Sequence, residues 1–133
     1  MASVAEVRWG TEAVETVETA DALDALFARV DAEARRSGLP QDVQLTVAGA
    51  GTLGLVVGHD RSFLNHVPED GDPPYMISVG DEDEDRPFTF YVEGDHHSEV
   101  HWRHTIPAAR ALEGARFFLA TGALDDRLRW EQT

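Results

Sequence analysis

The sequence predicts an α+β domain, in which two amphipathic helices pack on one face of a mostly antiparallel sheet. Short runs of alternating apolar and polar residues fill most of the chain, and two longer segments have helical periodicity. Turn residues separate consecutive short runs, which favours antiparallel pairing. Each helical segment has a single apolar stripe, and one face of a sheet can cover both. The length of 133 residues predicts one domain over 1–133.

The first 40 residues predict two short strands and a helix. The runs 6–9 and 13–18 alternate apolar and polar side chains, as strands with one buried face do. Thr19 is the candidate cap of the helix that follows, and Gly38 with Pro40 marks its end. Its apolar stripe consists of Leu23, Leu26, Phe27, Val30 and Ala34.

The middle of the chain predicts five more strands, at residues 43–48, 52–58, 75–79, 88–92 and 98–104. Residues 59–74 are expected to form a loop that is anchored by Phe63, Leu64 and Val67. The strands 75–79 and 88–92 are expected to pair as an antiparallel hairpin, and residues 93–97 are expected to form the next turn. The helices leave the other sheet face open to solvent or to a partner.

The last third predicts a second helix and a closing strand. Pro107 suits the first helical turn, Gly122 suits the end, and residues 126–131 follow as a short strand. The predicted buried face of the helix consists of Ala108, Ala111, Leu112, Ala115, Phe118 and Leu119. Five aromatic side chains fit a core that joins helix to sheet, namely Phe117, Phe118, Trp102, Trp130 and, nearer the start, Trp9.

Five consecutive acidic residues interrupt the predicted hairpin. They form the acidic segment, residues 81–85, and are Asp81, Glu82, Asp83, Glu84 and Asp85. The chain has 25 acidic residues and 11 basic ones and a net charge of −14; without these five charges the net charge is still −9. Such a surface repels nucleic acid and anionic membrane, and attracts a basic protein. Solubility alone is the alternative explanation.

The acidic segment does not match a calcium loop. Asp81, Asp83 and Asp85 have the spacing of the first three ligands. The sixth position, where the loop needs glycine, is Arg86, and the twelfth, where it needs glutamate, is Val92.

A second cluster with possible chemistry is the strand 98–104 and the histidines around it. Alternation places His97, Glu99 and His101 on one face, which is a credible zinc trio or small-ligand site. The same residues also suit the wet face of an ordinary strand. We expect no bound metal or cofactor.

Nothing in the sequence predicts an enzyme. The chain has no cysteine, Ser62 and Ser98 lack a nucleophile elbow, and residues 49–54 are no phosphate loop because a strand follows them. The N-terminal residues 1–10 lack the apolar core of a signal peptide, and no apolar run is long enough for a membrane helix. A cytoplasmic protein is therefore expected.

Four stretches resemble the first immunity-protein family of bacterial polymorphic toxin systems. Residues 53–64 contain Gly-x-Asp-x-Ser-x-Leu, and residues 73–81 contain Tyr-x-x-x-x-Gly. FTFYVEGDHHSEV resembles the next hairpin, and residues 106–131 resemble the ending, a Pro-led helix that runs into Thr-Gly and a strand with Trp. The motif residues are Gly58, Asp60, Ser62, Leu64, Tyr75, Gly80, Pro107, Thr121, Gly122 and Trp130.

The resemblance implies a non-catalytic protein that binds and blocks a cognate toxin, with nucleic-acid deaminases among the toxin types. Thr121, Gly122 and Trp130 would then be structural. From the charge pattern we expect the acidic segment to project from a hairpin tip into a basic toxin cleft, supported by Glu93 and Asp95. Tyr75, Phe63 and Trp9 are candidate apolar anchors of the interface.

Overall fold

The computed structural model describes residues 4–93 and 95–133. Residues 1–3 lie outside these ranges; they are part of the N-terminal stretch that argues against a signal peptide. Gly94, in the predicted turn 93–97, also lies outside them. The described strands are β1 (Ala5–Trp9), β2 (Ala13–Val17), β3 (Gln41–Val47), β4 (Gly51–Val57), β5 (Arg61–Ser62), β6 (Asn65–Val67), β7 (Met76–Val79), β8 (Pro87–Val92), β9 (His96–His101), β10 (Ile106–Pro107) and β11 (Arg129–Gln132). The helices are α1 (Ala20–Ser37) and α2 (Ala108–Thr121), and a 3₁₀ turn spans Trp102–His104.

The predicted α+β architecture is confirmed. The main sheet has the strand order β11-β7-β6-β4-β3-β1-β2, with antiparallel neighbours throughout. The β8–β9 hairpin joins it through one parallel bridge, between Gln41 of β3 and Tyr91 of β8. The short strands β5 and β10 pair separately.

Both helices begin and end where the sequence predicts. The Thr19 side chain accepts a hydrogen bond of 3.1 Å from the Ala22 backbone N–H, and Gly38 takes a left-handed conformation that lets its N–H reach the last carbonyls of α1. Gly122 ends α2 in the same way. Within the described ranges, neither helix combines the length and apolarity that a membrane crossing needs.

The main core lies between the helices and one face of the sheet. Alternate residues of the two central strands, Val43, Leu45, Leu53 and Leu55, are at most 2% exposed, and Phe118 of α2 packs on this face with no exposed surface. Burial of these side chains stabilises the fold by roughly 1.5–3 kcal/mol each. The predicted stripe of α1 is buried in full, whereas Ala108 and Leu112 of α2 are only partly buried.

The second face of the sheet is not open, contrary to expectation. The β8–β9 hairpin folds over part of it and encloses a second core cluster. Phe88 and Phe90 of the hairpin are buried there against three side chains of the underlying layer, namely Val56, Phe63 and Ile77. Trp102 belongs to this cluster too, so the expectation that it joins helix to sheet is wrong.

The expected hairpin of strands 75–79 and 88–92 is also wrong. β7 pairs with β6 and β11 inside the main sheet, whereas β8 pairs with β9 in the hairpin layer. Local alternation could not distinguish the two pairings, because both are antiparallel. Residues 80–86 therefore form a crossover from one layer to the other. The predicted loop 59–74 contains β5 and β6, and β6 is needed to connect β4 to β7.

A buried carboxylate joins the end of α2 to β11. Asp125 is 1% exposed and forms ion pairs of 3.1 Å with Arg110 and 3.0 Å with Arg127. Its backbone carbonyl accepts a 2.9 Å hydrogen bond from the Trp130 indole. The hydrogen bonds from Arg127, with a smaller contribution from Arg110, lower the pKa of Asp125 to about 2.

We predict that Asp125→Asn lowers the free energy of unfolding by about 2 kcal/mol at pH 7, since each pKa unit corresponds to about 1.4 kcal/mol. The folded pKa lies below the ordinary value of 3.8, so this stabilisation is present above pH 4 and is lost as the pH falls towards 2. Denaturant unfolding of both proteins at pH 7, 4 and 2.5 measures it. The neighbouring exposed change Asp126→Asn is the control, and a difference for Asp125→Asn that stays constant down to pH 2.5 contradicts the assignment.

Candidate partner-binding surface

The acidic segment lies on the surface where the chain crosses from β7 to β8. All five of its residues are exposed, and the Asp81 and Asp85 side chains are as accessible as in an extended chain, at 102% and 105%. The crossover starts with a hydrogen bond of 2.8 Å from the Gly80 N–H to the Arg103 carbonyl. The expected position on the surface is therefore retained, but on a layer crossing and not on a hairpin tip.

The Trp102 side chain holds the centre of the crossover. Its indole N–H donates a 2.8 Å hydrogen bond to the Glu82 carboxylate. The Arg86 guanidinium stacks on the ring at 3.7 Å from the centroid, and the Phe88 ring meets the indole edge-on at 6.0 Å. The Arg61 guanidinium lies 5.8 Å from the centroid of the same ring. It also lies 3.8 Å from the Glu82 carboxylate. These contacts limit the motion of the acidic segment without covering its carboxylates.

Each end of the acidic segment has a side-chain contact of its own. Asp81 lies 3.3 Å from Arg129 of β11, and Asp85 lies 3.2 Å from the ring of His101 at the end of β9. Glu84 pairs with Arg86 at 2.6 Å, and Asp83 has no partner in the part of the chain that the structure describes. Exposed pairs of this kind contribute only about 0–1 kcal/mol each, so a basic partner can replace them.

The other predicted partner-binding residues lie away from the acidic segment. Glu93 and Asp95 flank the turn between β8 and β9, whereas residues 81–85 precede the opposite end of β8. A strand of six residues separates the two ends, which is about 20 Å. Tyr75 lies before β7, where its hydroxyl donates a 2.6 Å hydrogen bond to the Gly71 carbonyl. The predicted residues therefore form two separate areas and not one.

The histidine strand does not assemble as a metal centre. His97 packs edge-on against Tyr91 at 6.1 Å, and Glu99 lies opposite Thr89 in the strand register. The His101 ring is used elsewhere, because it meets Asp85 and accepts a hydrogen bond from the Arg103 N–H. Over 4–93 and 95–133, no three His, Cys, Asp or Glu side chains are placed to hold a metal ion.

A groove that the sequence analysis missed lies on the second face, beside the β8–β9 hairpin. It comprises two neighbouring hollows of about 320 and 260 Å³, and both are lined by Asp42, Gln44 and Val92. The groove exists because the hairpin covers only part of the face. The groove residues of β3 alternate along the strand with the buried core residues. Alternation therefore predicted which face of the sheet they occupy, but not that the β8–β9 hairpin lies opposite them.

Asp42, which lines this groove, has a shifted pKa. Burial raises its pKa to about 6, and a hydrogen bond from the Gln44 amide offsets part of that effect. The Gln44 nitrogen lies 2.8 and 2.7 Å from the two carboxylate oxygens. No cation of the described residues lies within ion-pair distance of Asp42, in contrast to Asp125.

Gly54 of β4 lies next to two polar side chains that line the groove, Gln44 and Asn65. A Cβ atom there would lie 2.3 Å from the Asn65 side-chain oxygen and 2.9 Å from the Gln44 side-chain nitrogen. A larger residue at this position would therefore require both side chains to move. A glycine inside a strand that is otherwise apolar is the sequence signal that could have indicated this close approach.

The motif residues around β5 have structural roles. The buried Ser62 hydroxyl donates to the Val56 carbonyl at 2.8 Å and accepts from the Val56 N–H at 2.9 Å. Gly58 has a positive φ of 92° and donates its N–H to Asp31 of α1 at 2.7 Å. The Asp60 carbonyl accepts a hydrogen bond of 2.9 Å from Ala108. The motif thus connects β4 to both helices.

These observations describe an α+β domain with an acidic surface, and comparison with family models gives its class: it is an immunity protein. The family is the one described as Immunity protein Imm1, whose model matches residues 11–132. The chain belongs to this family, and the resemblance seen in the sequence is confirmed. A search of curated proteins found no match. Membership implies binding to a cognate toxin.

We predict that Trp102→Ala frees the crossover, because it removes the stacking surface for Arg86 and the donor to Glu82. Amide hydrogen exchange of residues 81–86 should rise at least about tenfold, and stability should fall by about 2 kcal/mol for this half-buried side chain. Trp102→Phe should raise exchange less, since the ring remains. Trp9→Phe, also half-buried but outside the crossover, is the control; unchanged exchange in Trp102→Ala contradicts the role of Trp102.

Proposed function

We propose that this immunity protein neutralises a toxin that acts on nucleic acid, of the deaminase type, by placing acidic side chains in the toxin's basic cleft. A toxin that binds DNA or RNA needs arginine and lysine side chains along its phosphate path. An inhibitor that offers carboxylates at similar positions competes for them. This mode of action requires binding and no catalysis by the immunity protein.

The observation that carries the proposal is the exposure of the whole acidic segment on a protein of net charge −14. Its internal ion pairs are exposed and weak, so the toxin's cations can take the place of Arg86 and Arg129. The contacts of Trp102 keep the backbone of the crossover ordered, which reduces the entropy that docking must remove.

Charge speeds the encounter but does not by itself hold the complex. Steering by complementary fields can raise association to about 10⁸ M⁻¹s⁻¹ or more. A dissociation constant near 1 nM needs about −12 kcal/mol, and weak exposed pairs do not supply it. An interface of about 1,600 Å² with apolar anchors is required. Phe63 is only 3% exposed and packs in the second cluster, so Tyr75 and Trp9 are the better candidates.

The toxin class also indicates the cellular compartment in which the inhibitor acts. A nucleic-acid toxin threatens the cell that makes it from the moment of synthesis, so we place the immunity protein in the cytoplasm of the producing cell. We propose no role for nucleic acid, membrane or cofactor in binding. The alternative metal site at His97, Glu99 and His101 has no supporting geometry in the described residues.

We predict that the triple change Asp81→Asn, Asp83→Asn and Asp85→Asn slows association with the cognate toxin domain at least about tenfold at low salt. It should also flatten the dependence of the rate on ionic strength, because screening has fewer charges to act on. Stopped-flow mixing between 20 and about 500 mM salt measures both effects.

The matched control removes three exposed charges elsewhere, by Glu18→Gln, Glu33→Gln and Asp126→Asn. The two triple variants have the same net charge, so a difference between them reports position and not total charge. Equal association rates for the two triple variants would contradict the proposed role of the acidic segment. An assay of the same toxin on DNA, RNA and protein substrates tests its class, and activity on protein alone contradicts the nucleic-acid assignment.

A further inference from the structure

We infer that the groove beside the β8–β9 hairpin receives an arginine side chain of the bound toxin, whose guanidinium pairs with the carboxylate of Asp42. The inference deepens the proposed function and rests on it, since it names a specific contact of the same partner. It concerns Asp42, which lies beside Val92 at the end of β8, whereas the acidic segment precedes the start of β8.

The groove is concave and has walls of different kinds. The β3 side contributes Asp42 and Gln44, and the hairpin side contributes Val92, Ser98 and Val100. An arginine has an apolar stem and a planar charged head, so it can lie along the hairpin wall while its head reaches the carboxylate. Both Asp42 oxygens keep acceptor capacity beyond the single Gln44 nitrogen, which suits a bidentate guanidinium.

Asp42 is half-buried, and in the free protein no cation of the described chain pairs with its carboxylate. Among the described residues, its side chain accepts a hydrogen bond from Gln44 only. Arg8, which lines the adjoining part of the groove, is held by Glu6 on the same strand at 2.6 Å. A desolvated carboxylate without a counter-charge destabilises a fold, so its presence at a groove floor points to a cation from outside.

The charges that face the groove select a basic occupant. Glu12 after β1, Glu93 at the end of β8 and Glu99 on β9 line it together with Asp42, and Tyr75 adds a neutral hydroxyl. Arg8 is the one basic side chain among the described lining residues, and Glu6 neutralises it. An acidic or neutral segment would leave these carboxylates unpaired, whereas an arginine is attracted by all four.

Docking should therefore be linked to the protonation of Asp42. Burial raises its pKa to about 6, and a guanidinium beside it would lower that value again. The complex then holds fewer protons than the free protein below pH 6. Affinity should consequently fall by up to about tenfold for each pH unit below 6, and should change little above pH 7.

The same residue should affect stability and binding in opposite directions. Because the folded pKa lies above the ordinary value of 3.8, the ionised form destabilises the free protein above pH 6, and this effect disappears below pH 4. Asp42→Asn should thus raise the melting temperature at pH 7.5, leave it unchanged at pH 4, and still weaken toxin binding about 10- to 100-fold. A substitution that merely damages the fold cannot produce this combination.

The first test uses a small probe on the isotope-labelled full chain. Acetyl-Gly-Arg-Gly-amide, titrated at pH 7.5, should shift the Asp42 carboxyl carbon and the Gln44 side-chain amide in the NMR spectrum. The same peptide with citrulline, a neutral isostere of arginine, should not. Asp42→Asn should remove the shifts at Gln44, and Asp126→Asn should keep them. Shifts confined to residues 81–85, or equal shifts with citrulline, overturn the inference.

The second test measures binding to the cognate toxin domain by calorimetry at pH 5, 6 and 7.5. Weaker binding of Asp42→Asn with an unchanged affinity for Asp126→Asn supports the inference, as does loss of the pH dependence in Asp42→Asn. Unchanged binding of Asp42→Asn, with slower association of the acidic-segment variant, overturns the groove contact and leaves the proposed function intact. Absence of any binding by the wild-type chain overturns both.

Discussion

The burial of β4 on both of its faces is the constraint on which the rest of the structure depends. Six of its seven residues are buried, so the strand needs cover above and below the sheet. The helices supply one cover and the β8–β9 hairpin the other. To reach the second side, the chain must leave the main sheet after β7 and pass around it. The acidic segment lies in this crossover. Its exposure follows from the topology, because a connection between two layers runs along the protein surface.

Carboxylates serve opposite purposes in this molecule according to what surrounds them. Asp125 is buried between two arginines, which stabilise its charge and join α2 to β11. Asp42 is half-buried, with only the Gln44 amide beside it among the described residues, so its charge destabilises the free protein. The acids of residues 81–85 are exposed, and water screens their mutual repulsion. The first kind maintains the fold, and the other two are available to a partner.

Every basic residue of this chain is arginine, and the structure uses the planar guanidinium in ways that lysine could not reproduce. Arg86 stacks on the Trp102 ring while pairing with Glu84, and Arg61 makes three hydrogen bonds to Thr105 beside β10. The acidic segment precedes β8 and Asp42 lies beside Val92 at the end of β8, about 20 Å away along the strand. One toxin domain with a standard interface of about 800 Å² per partner can contact both.

The sequence by itself determined the elements whose causes are local. The stripe of α1, the Thr19 cap and the Gly38 end depend on residues within a few positions of one another, and so does the alternation of β3. The family resemblance and the exposed position of residues 81–85 were also readable, because motif order and like-charge repulsion are properties of the chain. Only the tertiary structure decided which strands pair with β7 and β8, what covers the second face, and which acids have a cation. Those outcomes depend on contacts between residues far apart in sequence, where several antiparallel pairings satisfy the same alternation and only joint packing of all layers distinguishes them.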